Sequence, residues 1–241
     1  MRSLALFCFL FLSVLLKAEQ LPETRPALIG SGPRSLINMI NTERLMKRGQ
    51  KDAMVMFTAE VDGAGTCWRI WLYGGTPDSD ALAKEVSELR HVVFTPAVYK
   101  YQKRPALVDG TIIYRVIDGK PHLRIYLNQE TERILRGEDF ISPQWIFVEP
   151  DKHIPPRRYP EPGLSANVVI RITVDSVGKL QDAKLVFEKP EGHGFGTFFL
   201  NELHYATFLP GYLRGAPVAC SANIEYVSKT RANHWEHWQP D

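Results

Sequence analysis

The tail segment NHWEHWQPD brings His234, Glu236 and His237 together, and such a set could ligate Zn²⁺ with one further group. A solvated tail, or one that packs its tryptophans on the nearest surface, uses the same residues, so no metal or cofactor is assigned. His193 stands in GHGFG. No Ser or Cys nucleophile motif lies beside it, and a phosphate loop would carry a lysine, so it reads as a turn before a helix. Glu85 and Glu88 fall on the polar face of a helix, opposite Leu82, and read as solvating charges. Gly-x-Ser-x-Gly, His-Glu-x-x-His and Gly-x-Gly-x-x-Gly do not occur. With no nucleophile, base or phosphate constellation, the expected activity is non-enzymatic.

Thiols and tryptophans leave alternatives open. Cys67 and Cys220 lie in TCW and VACSA, both strand-like, where small buried thiols are common. A bridge between them requires a short Cα separation that sequence does not reveal. Trp68 and Trp71 face opposite sides of a strand. If one of them, or Trp145, were exposed, it could stack on a sugar ring, and carbohydrate or cell-wall binding is therefore an alternative function. Burial of both is the other reading.

The elements that must position these residues begin after a leader. In MRSLALFCFLFLSVLLKA, Arg2 precedes an apolar run from Leu4 to Leu16 interrupted only by Ser13, and Ala18 supplies a small residue for cleavage. This is the pattern of a signal peptide over 1–18, and it places the protein in the periplasm or outside the cell. An uncleaved anchor is the rival reading, although a 13-residue helix of about 20 Å falls short of the ~30 Å hydrocarbon core. Net charge is +2, and without the leader 27 basic residues balance 27 acidic ones. A neutral chain offers no footprint for nucleic acid, and after cleavage none for a membrane.

Hydrophobic periodicity divides the remainder. A lead-in over 19–49 carries a helix at about 35–48. A first domain over 50–149 reads DAMVMFTAEV, turn, CWRIWLY, a helix near 76–93 with Thr76 as cap, then GTIIYRVI, an Asp118-Gly119 turn and HLRIYLN. Residues 150–162 contain PDKHIPPRRYPEP, an extended linker. A second domain over 163–230 reads NVVIRITVD, turn, KLQDAKLVFE, a helix with Phe195, Phe199, Leu203 and Ala206 on one stripe, then CSANIEYVS. A tail over 231–241 follows. The order repeats with nearly constant spacing. Asp62-x-x-Gly65 matches Asp175-x-x-Gly178 at an offset of 113, Phe94-x-Pro96 matches Phe208-x-Pro210 at 114, and Tyr114 matches Tyr226 at 112. The pattern predicts an internal duplication.

The second unit resembles the C-terminal domain of TonB-type energy transducers. The resemblance rests on Tyr159-Pro160, Val174-Asp175 with Gly178, Phe208-Leu209-Pro210-Gly211 and Gly215-Ala216-Pro217-Val218, and it spans about residues 157–228. A weaker likeness covers 52–117, where Arg104-Pro105-Ala106-Leu107 replaces the Gly-x-Pro-Val pattern. It implies an α+β fold of two tandem small domains, each an antiparallel three- to four-stranded sheet with one covering helix. It also implies that an envelope protein or extended peptide segment adds to a sheet edge, or that such edges self-associate. The expected partner-binding edge strands are Ala222, Asn223, Ile224, Glu225, Tyr226 and Val227 in the second unit, and Thr111, Ile112, Ile113 and Tyr114 in the first. A transducer needs a retained anchor and a long periplasmic spanner. The short leader and brief lead-in instead point to an exported binding or adaptor protein, with a membrane-anchored transducer as an alternative.

Overall fold

The protein is described by a computed structural model covering residues 20–148, 160 and 163–228, apart from the side chains of residues 68, 69, 227 and 228. The leader, nearly all of the proline-rich linker and the His/Trp tail lie outside the described residues.

In the first half, β1 (Thr24–Arg25) precedes two short helices, α1 (Leu36–Met39) and α2 (Thr42–Lys47). These replace the single helix expected over 35–48. Ile40 takes extended backbone, and Asn41 restarts the helix by accepting the Arg44 N–H on its side chain at 2.8 Å. Then come β2 (Ala53–Val61), β3 (Thr66–Gly75), α3 (Asp80–Ser87), β4 (Val92–Val93), β5 (Ala97–Tyr99), β6 (Gln102–Arg104), β7 (Ala106–Ile117) and β8 (Lys120–Tyr126). Thr76 does not cap α3. Its hydroxyl accepts the Met54 N–H at 3.1 Å, and the helix begins later, after Ser79.

A short helix α4 (Thr131–Leu135) leads to β9 (Phe140–Ile141) and β10 (Gln144–Ile146). The second half supplies β11 (Ala166–Val174), β12 (Leu180–Lys189), α5 (Phe195–Leu203), β13 (Thr207–Leu209), β14 (Gly211–Leu213), β15 (Ala216–Val218) and β16 (Cys220–Ser228). Among the described residues the fold is mixed α+β, mostly antiparallel sheet with few helices and no closed barrel.

The main sheet runs β13-β10-β7-β2-β3-β4, with β8 also on β7, and a second sheet runs β12-β11-β16. Alternation decides which face each sheet buries. Ala53, Val55, Phe57, Ala59 and Val61 of β2 point into a core closed by Leu36, Leu45, Leu82 and Val86 of the helices. Ala166, Val168, Ile170, Ile172 and Val174 of β11 do the same beneath Phe195, Phe199 and Leu203 of α5. Each large apolar side chain buried this way contributes about 1.5–3 kcal/mol.

Glu85 departs from its expected solvated role. It is fully buried on α3, where its Oε1 accepts from Arg44 Nη2 at 2.5 Å and from the Asn41 N–H at 3.2 Å. The α1–α2 segment folds over the face of α3 that the isolated helix pattern assigned to water.

The same local geometry occurs in both halves. Asp62 Oδ1 accepts the N–H groups of Ala64 and Thr66, and Asp175 Oδ1 accepts those of Val177 and Lys179. Gly65 and Gly178 have φ of +89° and +90°, and a Cβ on either would collide with the carbonyl oxygen of Phe94 or Phe208. Only glycine suits both the dihedral and the close approach. Each Phe-x-Pro therefore seats its carbonyl on the hairpin glycine of its own half.

The correspondence continues past the Phe-x-Pro. Ala97↔Arg104, Val98↔Lys103 and Tyr99↔Gln102 pair as Gly211↔Val218, Tyr212↔Pro217 and Leu213↔Ala216 do, each residue 114 positions on. β1 joins the first hairpin through Thr24↔Tyr99, and β9 joins the second through Phe140↔Leu213. The alignment of Tyr114 with Tyr226 is corrected by the register. Val55 pairs with Ile112, whereas its counterpart Val168 pairs with Tyr226, so the tyrosines are displaced by two residues.

Backbone pairing also crosses from one half to the other. Gln144↔Leu209, Trp145↔Phe208 and Ile146↔Thr207 place β13 at the edge of the main sheet.

Candidate functional site

β16 is the most regular strand edge in the second sheet. It pairs with β11 in unbroken register from Ala166↔Ser228 to Val174↔Cys220. Among the described residues no strand pairs with its other side. An unpaired edge presents N–H and C=O groups to any extended chain that can approach.

Its side chains divide by face. Ala222, Ile224 and Tyr226 belong to the core under α5, and the Tyr226 ring stacks on Phe199 with centroids 4.1 Å apart. Asn223 is exposed, and Glu225 accepts from Asn167 Nδ2 at 3.0 Å on the opposite face. Of the six residues expected at this edge, Asn223 and Glu225 thus carry their side chains on the face away from α5, and those of Ala222, Ile224 and Tyr226 pack under it. Alternate residues of the strand turn N–H and C=O to the open side, and the Val227 side chain lies outside the description.

Thr111, Ile112, Ile113 and Tyr114 do not form an edge, which corrects the expectation for the first half. They pair with Met56, Val55, Met54 and Ala53 on one side and with Tyr126, Ile125, Arg124 and Leu123 on the other. The cause is local. Asp118 and Gly119 both take positive φ, and the tight turn they make folds β8 back along β7. Thr111 is buried with its hydroxyl on the Asn128 carbonyl at 2.8 Å, and Ile112 and Tyr114 are core residues.

Sequence reasoning missed the other edge of the second sheet. Among the described residues β12 also has β11 as its one strand neighbour, and it exposes Leu185, Val186 and Phe187 consecutively. Three adjacent apolar residues cannot share one face of a regular strand. The register accordingly shifts between Val169 and Ile170, opposite this run. The unbroken alternation error in KLVFEK was the available signal. A bulge and flanking charges blunt β12 as a template, whereas β16 has no register shift.

A polar cluster lies on the main sheet where it meets the field of β16. Buried Thr58 donates its hydroxyl to Asp109 Oδ1 at 2.5 Å and also shares a hydrogen bond with Tyr73. Burial pushes the Asp109 carboxyl up to about 6, the Thr58 hydrogen bond opposes this, and the Glu225 charge adds to it. Glu225 is itself raised by burial, partly offset by its bond from Asn167. Burial chiefly raises Tyr226 as well, with Asp109 and Glu202 contributing. The chemistry available is a change of charge near neutral pH.

The remaining expectations resolve as follows. Cys67 is buried and Cys220 half-buried, and no disulfide joins them. Burial raises the Cys220 thiol above its ordinary value, and Trp71 is 6 % exposed. That removes the exposed ring that sugar stacking at Trp71 would require. Trp145 is half-buried, with its ring 5.9 Å from Phe147 and 6.2 Å from Phe208. His193 sits between Gly192 and Gly194, both at positive φ, immediately before α5. Among the described residues no group of three His, Cys, Asp or Glu could hold a metal ion, and no helix is long and apolar enough to cross a membrane. The tail set His234, Glu236 and His237 lies outside those residues.

Comparison with family models, with curated proteins and with solved structures gave no match to the chain.

Proposed function

We propose that this chain is an exported, non-enzymatic binding or adaptor protein. On this reading it consists of two tandem units like the C-terminal domain of TonB-type transducers, and an envelope protein or extended peptide adds a strand to the edge of β16. The observation that carries the reading is the difference between two corresponding strands. β7 is closed on both sides, while β16 has a single hydrogen-bonded neighbour among the described residues. The repeated hairpin, Phe-x-Pro and β-turn geometry supports tandem copies of one unit. Among the described residues, only the second copy leaves its last strand with an open side, because β8 covers the corresponding strand of the first.

A photoreactive amino acid placed at Asn223 tests this in cells that express the protein natively. The expected result is a discrete crosslinked adduct from position 223 and none from exposed Val177 in the β11–β12 turn. Equal adducts from both positions, or adducts from Val177 alone, would overturn the reading. A homodimeric adduct at 223 identifies the added strand as a second copy of the chain.

A further inference from the structure

The β7–β8 hairpin that closes the first edge also builds a cavity of about 300 Å³ against α4. Register fixes which side chains share its floor. Arg115 lies directly opposite His122, and Arg124 opposite Ile113. Arg136, at the end of α4, lines the other wall, with its Nε on Glu138 at 2.7 Å. No carboxylate lines the cavity. Among the described residues, neither the Arg115 nor the Arg124 side chain has an ion pair or a hydrogen bond.

Two features of this arrangement are not needed for folding. A cationic side chain directly across from a basic ring on adjacent strands gains nothing for the hairpin, and destabilises it when both are charged. Beside these groups, Ile117 and Leu135 remain 48 % and 71 % exposed. Guanidinium groups with free donors match a phosphate or carboxylate, and open apolar side chains match a short hydrocarbon. The volume is at the small end of ligand cavities, which begin at about 300 Å³.

We infer that the cavity between the β7–β8 hairpin and α4 is a binding site for a small anionic amphiphile. Its phosphate or carboxylate is held by Arg115 and Arg124, and its apolar part lies on Ile117 and Leu135. This site is independent of the β16 edge. The ligand could be a free amphiphile or a lipid headgroup with the start of its chain, and both present the same chemistry.

The test uses the full mature chain and decyl phosphate below its micellar concentration, followed by isothermal titration calorimetry. Saturable binding is expected, weakened at least tenfold in Arg124→Gln and in Arg115→Gln. Both side chains are exposed, so circular dichroism should show these variants folded. Leu135→Asp should weaken binding without altering either guanidinium. Inorganic phosphate and uncharged decyl maltoside should each bind at least tenfold more weakly than decyl phosphate. No saturable binding, equal binding of decyl maltoside, equal binding of inorganic phosphate, or full binding by both arginine variants would each overturn the proposal. Sedimentation with vesicles containing phosphatidic acid then separates the sources. Arginine-dependent sedimentation supports a lipid headgroup, and its absence alongside decyl phosphate binding supports a free amphiphile.

Discussion

At the scale of single residues, Asp109 gives the chain a measurable pH response. Its folded carboxyl titrates near 6, above the ordinary range, because burial disfavours the charge. Between about pH 4 and 6 the folded state therefore holds a proton that the unfolded state has lost. Stability should fall as pH rises through that window and level off above it. Asp109→Asn keeps an oxygen for Thr58 and removes the titration. Relative to wild type it should gain about 2 kcal/mol between pH 4 and 7, read by urea denaturation at each pH. A variant whose stability difference is the same at both pH values would contradict the assignment. The buried carboxylate of Glu85 is bound by the Arg44 guanidinium. Arg44→Ala leaves a buried carboxylate without its cation, and a loss of stability is expected that the exposure of Arg44 moderates. Glu85→Gln keeps an acceptor for the Asn41 N–H and should cost less than Arg44→Ala in the same denaturation assay.

At the scale of elements, the hairpin glycine and the Phe-x-Pro act as one joint. Gly178→Ala would drive a Cβ into the Phe208 carbonyl at a φ of +90°. The expected cost is about 2–4 kcal/mol by chemical denaturation, with Gly65→Ala similar because it meets Phe94 in the same way. This joint was legible in the sequence: Asp-x-x-Gly and Phe-x-Pro recur at almost the same spacing, and alternation located β2, β7, β11 and β16. The strand β16 was legible too, in CSANIEYVS. The closure of β7 was also present in the sequence, because Asp118-Gly119 and HLRIYLN spell a hairpin. The resemblance between the two halves masked that consequence. Glu85 was misassigned because a helical stripe describes one helix in water and contains no information on which loop folds over its polar side. The bulge in β12 needed only the observation that Leu185, Val186 and Phe187 break alternation.

At the scale of the whole molecule, the two halves share the backbone hydrogen bonds of β10 and β13, and a buried side chain on β10 reaches back to the start of the chain. Gln144 pairs with Leu209 through backbone, while its buried amide accepts the Ala27 N–H at 2.7 Å and donates to the Ala27 carbonyl at 3.0 Å. Residue 144 therefore ties the start of the chain to β13, a connection invisible to local periodicity because its partners lie 117 and 65 residues away. Gln144→Leu would leave both Ala27 groups unpaired in a buried setting. A loss of about 2–4 kcal/mol is expected, seen as a lowered thermal midpoint by far-ultraviolet circular dichroism.

The central claim is that one of two corresponding strands is closed and the other open. Residue-resolved hydrogen exchange of the free protein tests it most directly. Amides of Thr111–Tyr114 should all be protected, whereas alternate amides of Ala222–Tyr226 should exchange rapidly while those facing β11 stay protected. Uniform protection along Ala222–Tyr226, equal to that of Thr111–Tyr114, would mean that the β16 edge is already covered and would contradict the account.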